Sequence, residues 1–166
     1  MLRIITALCL FATASLAQSP EPGKFYKLDF VVKEVEGAKL LSSHTFTTTV
    51  STDRSMQHST VIRHGSKAQV ASGPGPNAGY NYLDVGLTIE ILNVGELPSG
   101  LGMTISADLT SIPADSSALA TPVAIHQNHW NSNAFVPLQK STLLFSSDDL
   151  TTRHQMRIEV TATPIR

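Results

Sequence analysis

The sequence predicts an all-β protein, an antiparallel β-sandwich or open barrel of about eight or nine strands. Three observations lead there. Apolar and polar residues alternate with period two from Phe25 onward, and no segment shows a helical period. The alternating segments are rich in β-branched residues, above all Thr45–Thr52, which suit a pleated, half-exposed surface. Clusters of glycine, proline, asparagine and serine interrupt the alternation at hairpin spacing.

The elements follow in order. Tyr26, Leu28, Phe30 and Val32 share one strand face, with Lys27, Asp29 and Lys33 on the other. Glu36-Gly37-Ala38 supplies a turn into a return strand carrying Leu40, His44, Phe46 and Val50 on one side. Thr60–His64 is a short strand, Gly65-Ser66 a turn and Lys67–Ala71 a strand. Ser72–Gly79, dense in glycine and proline, is a loop. Leu83, Val85, Leu87, Ile89 and Ile91 then alternate with polar neighbours, Val94–Gly100 reads as loop, and Leu101, Met103, Ile105, Ala107 and Leu109 alternate again. These two long strands make an antiparallel pair with one face to the core. Ile112–Pro122 reads as loop, Val123–Trp130 as strand, Asn131–Asn133 as turn, Phe135–Phe145 as strand and Ser146–Thr151 as turn, with Pro137 at a sheet edge or strand start. His154, Met156, Ile158, Val160 and Ala162 form the inward face of the last strand, whose outward side, with Arg153 and Arg157, protects it from edge-to-edge pairing.

Residues 1–17 have the form of a cleaved export signal: Arg3, an apolar run from Ile4 to Ala12, and small residues at Ser15 and Ala17. The apolar core is shorter than the ~20 residues that a bilayer-spanning helix needs. Residues 18–24 read as a flexible linker and 25–166 as a single β-domain, in the periplasm or outside the cell. The only cysteine, Cys9, lies in the signal, so the exported chain has neither disulfides nor thiol chemistry. Loss of Arg3 leaves 11 basic residues against 13 acidic ones, without a run of like charge, which excludes an electrostatic footprint for nucleic acid.

One block carries a family likeness. His64-Gly65 precedes Lys67-Ala68-Gln69-Val70, a Gly/Pro loop follows, and then Tyr82-Leu83-Asp84-Val85-Gly86-Leu87-Thr88-Ile89. That order resembles the core of the bacterial secretin β-domain of type II and type III secretion, where a glycine-ended strand leads to a Pro-Val strand, a loop and a Tyr-x-Asp-Val-Gly strand. Tyr82, Asp84, Val85 and Gly86 match the motif, and Ala68-Gln69-Val70 stands where proline-valine is usual. The last strand, Arg157–Pro164, is similar to the closing strand of such modules. The resemblance implies topology and an envelope setting, with a pore function left out because the chain is short for a secretin barrel subunit.

Chemistry is harder to place. His126 and His129 on a strand face opposite ways, so a metal site would have to recruit His44, His58, His64 or His154 through the fold; scattered histidines are the plainer account, and neither metal nor cofactor is expected. No Gly-x-Ser-x-Gly elbow is present, and Asp84 and Glu90, six residues apart on one strand, are ~20 Å from each other. Trp130, the only tryptophan, lies among Asn128, Asn131, Ser132 and Asn133, a setting suited to stacking on a sugar or anchoring a partner, with a place in the core as the plainer account. Tyr80 and Tyr82 flank the Gly/Pro loop. The expectation is a non-enzymatic envelope module that binds an envelope protein or itself. The alternative is a sugar- or peptide-binding sandwich using Trp130, Asn128, Asn131, Tyr80 and Tyr82, and a hydrolase comes third.

Overall fold

A computed structural model describes residues 23–53, 59–71, 79–112, 125–148 and 154–165. The expected signal, most of the linker, the body of the Ser72–Gly79 loop, most of the Ile112–Pro122 loop and His58 lie outside these residues. Eight strands run through the described chain: β1 Phe25–Glu36, β2 Lys39–Ser51, β3 Thr60–Ala71, β4 Tyr80–Leu97, β5 Gly100–Ser111, β6 His126–Pro137, β7 Thr142–Asp148 and β8 His154–Pro164. They form two four-stranded antiparallel sheets, ordered β2-β1-β8-β7 and β3-β4-β5-β6, and neither sheet closes into a barrel.

The period-two pattern becomes a core between the sheets. Tyr26, Leu28, Phe30 and Val32 of β1, with Ile158, Val160 and Ala162 of β8, are buried from one side. Leu87, Ile89 and Ile91 of β4 and Leu101, Met103, Ile105 and Ala107 of β5 are buried from the other. Phe30 is fully enclosed, and truncating such a side chain to alanine costs about 3–5 kcal/mol. Outward positions carry the polar side chains. On β1, Lys33 pairs with Glu159 of β8 at 2.9 Å and Asp29 accepts a hydrogen bond from Thr47 of β2 at 2.7 Å.

Several expected turns are continuous strand. Gly65-Ser66 lies inside β3, where Gly65 faces Gly86 across the β3–β4 ladder. A Cβ on Gly65 would strike the Val85 carbonyl oxygen, and one on Gly86 the His64 carbonyl oxygen; Gly86 also has φ 139°. These glycines let two backbones meet closely within a ribbon, a use distinct from reversing the chain. Asn131-Ser132-Asn133 is the middle of β6. The Asn133 amide oxygen accepts a hydrogen bond from Thr104 on β5 at 2.8 Å, so cross-strand bonding occupies the group that made a turn plausible. β4 runs on to Leu97 through a bulge at Asn93 (φ 53°), which turns Val94 into the core and leaves only Pro98-Ser99 to reverse the chain.

Other boundaries shift in the same way. The expected strand from Phe135 to Phe145 is the end of β6, a reversal at Leu138–Ser141 and the first half of β7; Ser146–Asp148 continue β7 where a turn was expected. Pro137 ends β6, which is an edge strand. β8, expected to resist edge pairing, lies between β1 and β7 and has no free edge. Leu40 was expected beside His44 and Phe46. A bulge at Leu41 pairs Leu40 with Val35 and sends it to the outer face, 54% exposed.

Candidate binding cleft

The inward rows of the strands change chemistry at one end of the sandwich. On β1 the row Tyr26, Leu28, Phe30, Val32 ends at Glu34; on β8 the row Ala162, Val160, Ile158, Met156 ends at His154. β2 passes from Val50 through Phe46 to His44 and Ser42, β5 from Leu109 to Ser111, and β6 from Val136 through Trp130 to Asn128 and His126. The hairpin registers bring these polar ends level with one another. With no apolar side chains left to interdigitate, the sheets part and leave a cleft of about 590 Å³, within the usual range for small-molecule sites.

Its floor is apolar, built from Val32, Phe46, Leu87, Leu109 and Met156, and its rim carries four imidazoles, two from each sheet. His44 and His64 face each other across the sheets with ring centres 6.1 Å apart, and His64 also lies against Phe46 at 5.4 Å. His154 Nδ1 is 2.8 Å from Glu34 Oε1, and Ser42 Oγ donates to the other Glu34 oxygen at 3.4 Å. Asp148 accepts a hydrogen bond from Gln155 at 2.8 Å. No group of three His, Cys, Asp or Glu side chains among the described residues is placed to hold a metal ion.

The opposite end of the sandwich is closed. Lys24 pairs with Glu96 at 2.8 Å, and its backbone N–H donates to Thr52 Oγ1 at 3.0 Å. The lysine's hydrogen bond holds the Glu96 carboxyl below its ordinary range, while burial, helped by Glu96, raises the Tyr26 hydroxyl above its own. The chain is therefore tied down from Lys24, inside the segment expected as linker.

The residues singled out in the sequence do not converge. Trp130 is half-buried on the inner face of β6, packed on the core with its ring 5.9 Å from that of Phe145 on β7, and no turn adjoins it. Asn128 reaches the cleft, whereas Asn131 is exposed and pairs with Ser106. Tyr80 and Tyr82 are exposed on β4 opposite Ala71 and Gln69, where the β3–β4 hairpin extends past the last β4–β5 pair at Gly86. In the family-like motif, Asp84 pairs with Lys67 at 3.1 Å, Val85 lines the cleft, and Gly86 is the close-approach glycine. His126 and His129 do face opposite ways: His126 lines the cleft, and His129 Nδ1 lies 2.6 Å from Asp108 on the outer face of the sheet. What the sequence reading missed is that His44, His64, His126 and His154 share one cleft. Part of the signal was present, since the inward rows of β1, β2, β5, β6 and β8 end in polar residues at matching register, while that of β4 stays apolar through Val85.

No protein-family model matches the sequence, and no curated protein does. Solved structures do match the fold. The injectisome secretin InvG of the Salmonella SPI-1 type III secretion system aligns with a TM-score of 0.51 and 8% identity, over 87% of this chain and 62% of that one. The type II secretin GspD of enteropathogenic Escherichia coli aligns at 0.44 and 9%, over 87% and 66%, and the type IV competence pilus secretin PilQ of V. cholerae at 0.44 and 8%, over 86% and 57%. The chain spans less than two thirds of the InvG chain. The likeness suggested by the Tyr82–Gly86 block is thus met at the level of architecture: the two open sheets have the fold of the secretin β-domain.

Proposed function

We propose that this chain is exported, non-enzymatic and works in the cell envelope as an assembly module, joining copies of itself or a secretin-like partner through its sheet edges. One observation carries the reading. β2 and β6 are edge strands of 13 and 12 residues, and neither Leu40–Ser51 nor β6 contains a Lys, Arg, Asp or Glu. Long, uncharged edges present unpaired backbone donors and acceptors, and soluble monomers ordinarily blunt such edges with charge. The two edges lie at diagonally opposite corners of the sandwich, one in each sheet, so an edge-to-edge contact propagates from copy to copy.

The fold shared with InvG supports an envelope role, and solved complexes of GspD with the pilotin AspS, and of PulD with PulS and the PulC HR domain, show that secretins of this fold work alongside other proteins. The His129–Asp108 pair sits on an open sheet face, and no serine or threonine hydroxyl among the described residues bonds to that imidazole. Light scattering on the exported chain tests the reading. Oligomers that grow with concentration support it, and a strict monomer at about 0.5 mM overturns it.

A further inference from the structure

The cleft at the open end of the sandwich is lined by inward side chains, whereas edge pairing uses the backbone of β2 and β6. Among the described residues its one inward formal charge is negative, Glu34 of β1; Asp148 of β7 touches the rim with its carboxylate bonded to Gln155 of the outward row, and no described lysine or arginine lines the cleft. Arg63 and Lys67, the nearest cations on β3, alternate to the outer face, where Lys67 pairs with Asp84. The other titratable groups that face the cleft are His44 of β2, His64 of β3, His126 of β6 and His154 of β8; β4 and β5 add only uncharged side chains.

We infer that this cleft binds a small organic cation with an apolar body: an ammonium group carried on an aromatic or aliphatic frame. The floor of Val32, Phe46, Leu87, Leu109 and Met156 takes the apolar part by burial. The rim takes the ammonium. The Glu34 carboxylate offers several lone-pair directions, of which Ser42 and His154 occupy two. Among the described residues no hydrogen bond reaches the ring nitrogens of His44, His64 or His126, and a neutral imidazole presents one acceptor nitrogen. An anionic ligand would meet the like charge of Glu34 in a partly desolvated cleft, and a bare metal ion would lack three convergent ligands among the described residues.

Three probes of matched shape separate the chemistry: 4-phenylbutylamine, 4-phenylbutanol and 4-phenylbutyrate, titrated calorimetrically into the exported chain. The amine is expected to bind at least about tenfold more tightly than the alcohol near pH 8, with the carboxylate weakest. Glu34→Gln, an isosteric change, is expected to weaken the amine about threefold or more and leave the alcohol unchanged, whereas Asp148→Asn, whose carboxylate lies on the outward row, changes neither; unaltered melting curves show that the fold persists. Phe46→Ala weakens all three probes. No amine binding up to about 5 mM, equal binding of amine and carboxylate, or an amine affinity indifferent to Glu34→Gln overturns the inference. These outcomes are read at concentrations where the oligomeric state is known, so a failure of the assembly reading is seen separately.

Discussion

At the scale of single residues, glycines and bulges were the hardest features to read from the sequence. Gly65-Ser66 has turn composition, yet Gly65 is there because Gly86 passes so close that neither position has room for a Cβ. Sequence composition reports that a glycine is needed and cannot say which contact needs it. Gly86→Ala is strained both by its φ of 139° and by the His64 carbonyl oxygen, and is expected to lower stability by about 1–3 kcal/mol in urea denaturation. Gly95→Ala, with open space around the new Cβ, is the control and should change stability by less than about 0.5 kcal/mol. Trp130 shows a related difficulty. Its amide neighbours suggested a loop, but on a strand they alternate with it, so the indole points to Phe145 while Asn131 and Asn133 point to solvent.

At the scale of elements, legibility follows burial. β1, β4, β5 and β8 lie inside their sheets, and their apolar phase is unambiguous because a one-residue slip would expose the whole inward row. β2, β3, β6 and β7 are edges with fewer buried positions, and it is their ends and faces that were misplaced. Ion pairs on the outer faces add a smaller, pH-dependent contribution. The Lys33 ammonium, with Ser141, holds the Glu159 carboxyl below its ordinary range against the effect of burial, and Lys27 and Thr47 do the same for Asp29. A lowered carboxylate pKa stabilises the fold above the unfolded value and is lost as pH falls through the folded one. Unfolding midpoints should therefore drop as pH falls from about 5 toward 3, and Glu159→Gln with Asp29→Asn should flatten that drop, by about 1 kcal/mol or less because both pairs are partly exposed.

At the scale of the whole molecule, fold class and strand phase were legible, whereas the cleft was not, because it arises from level registers of strands distant in sequence. His44 and His154 belong to one sheet and His64 and His126 to the other. Nothing local in their sequences says that they share a mouth. Edge chemistry also acts at this scale. Thr45→Lys with Thr49→Lys places two charges on exposed positions of β2, and Asn131→Lys places one on β6. Each set is expected to shift the chain toward monomer in light scattering, with melting temperature little changed.

The glycine crossing divides the β3–β4 hairpin into two lengths. On one side, β4 is flanked by both β3 and β5; beyond Gly86, residues 80–85 are paired on one side only, with β3 residues 66–71. A two-stranded ribbon is only marginally stable in water by itself. One covalent strand is thus expected to hold two regimes of amide protection, slower exchange at residues 87–92 and faster exchange at residues 80–85, which carry exposed Tyr80 and Tyr82; uniform hydrogen exchange along β4 would overturn this.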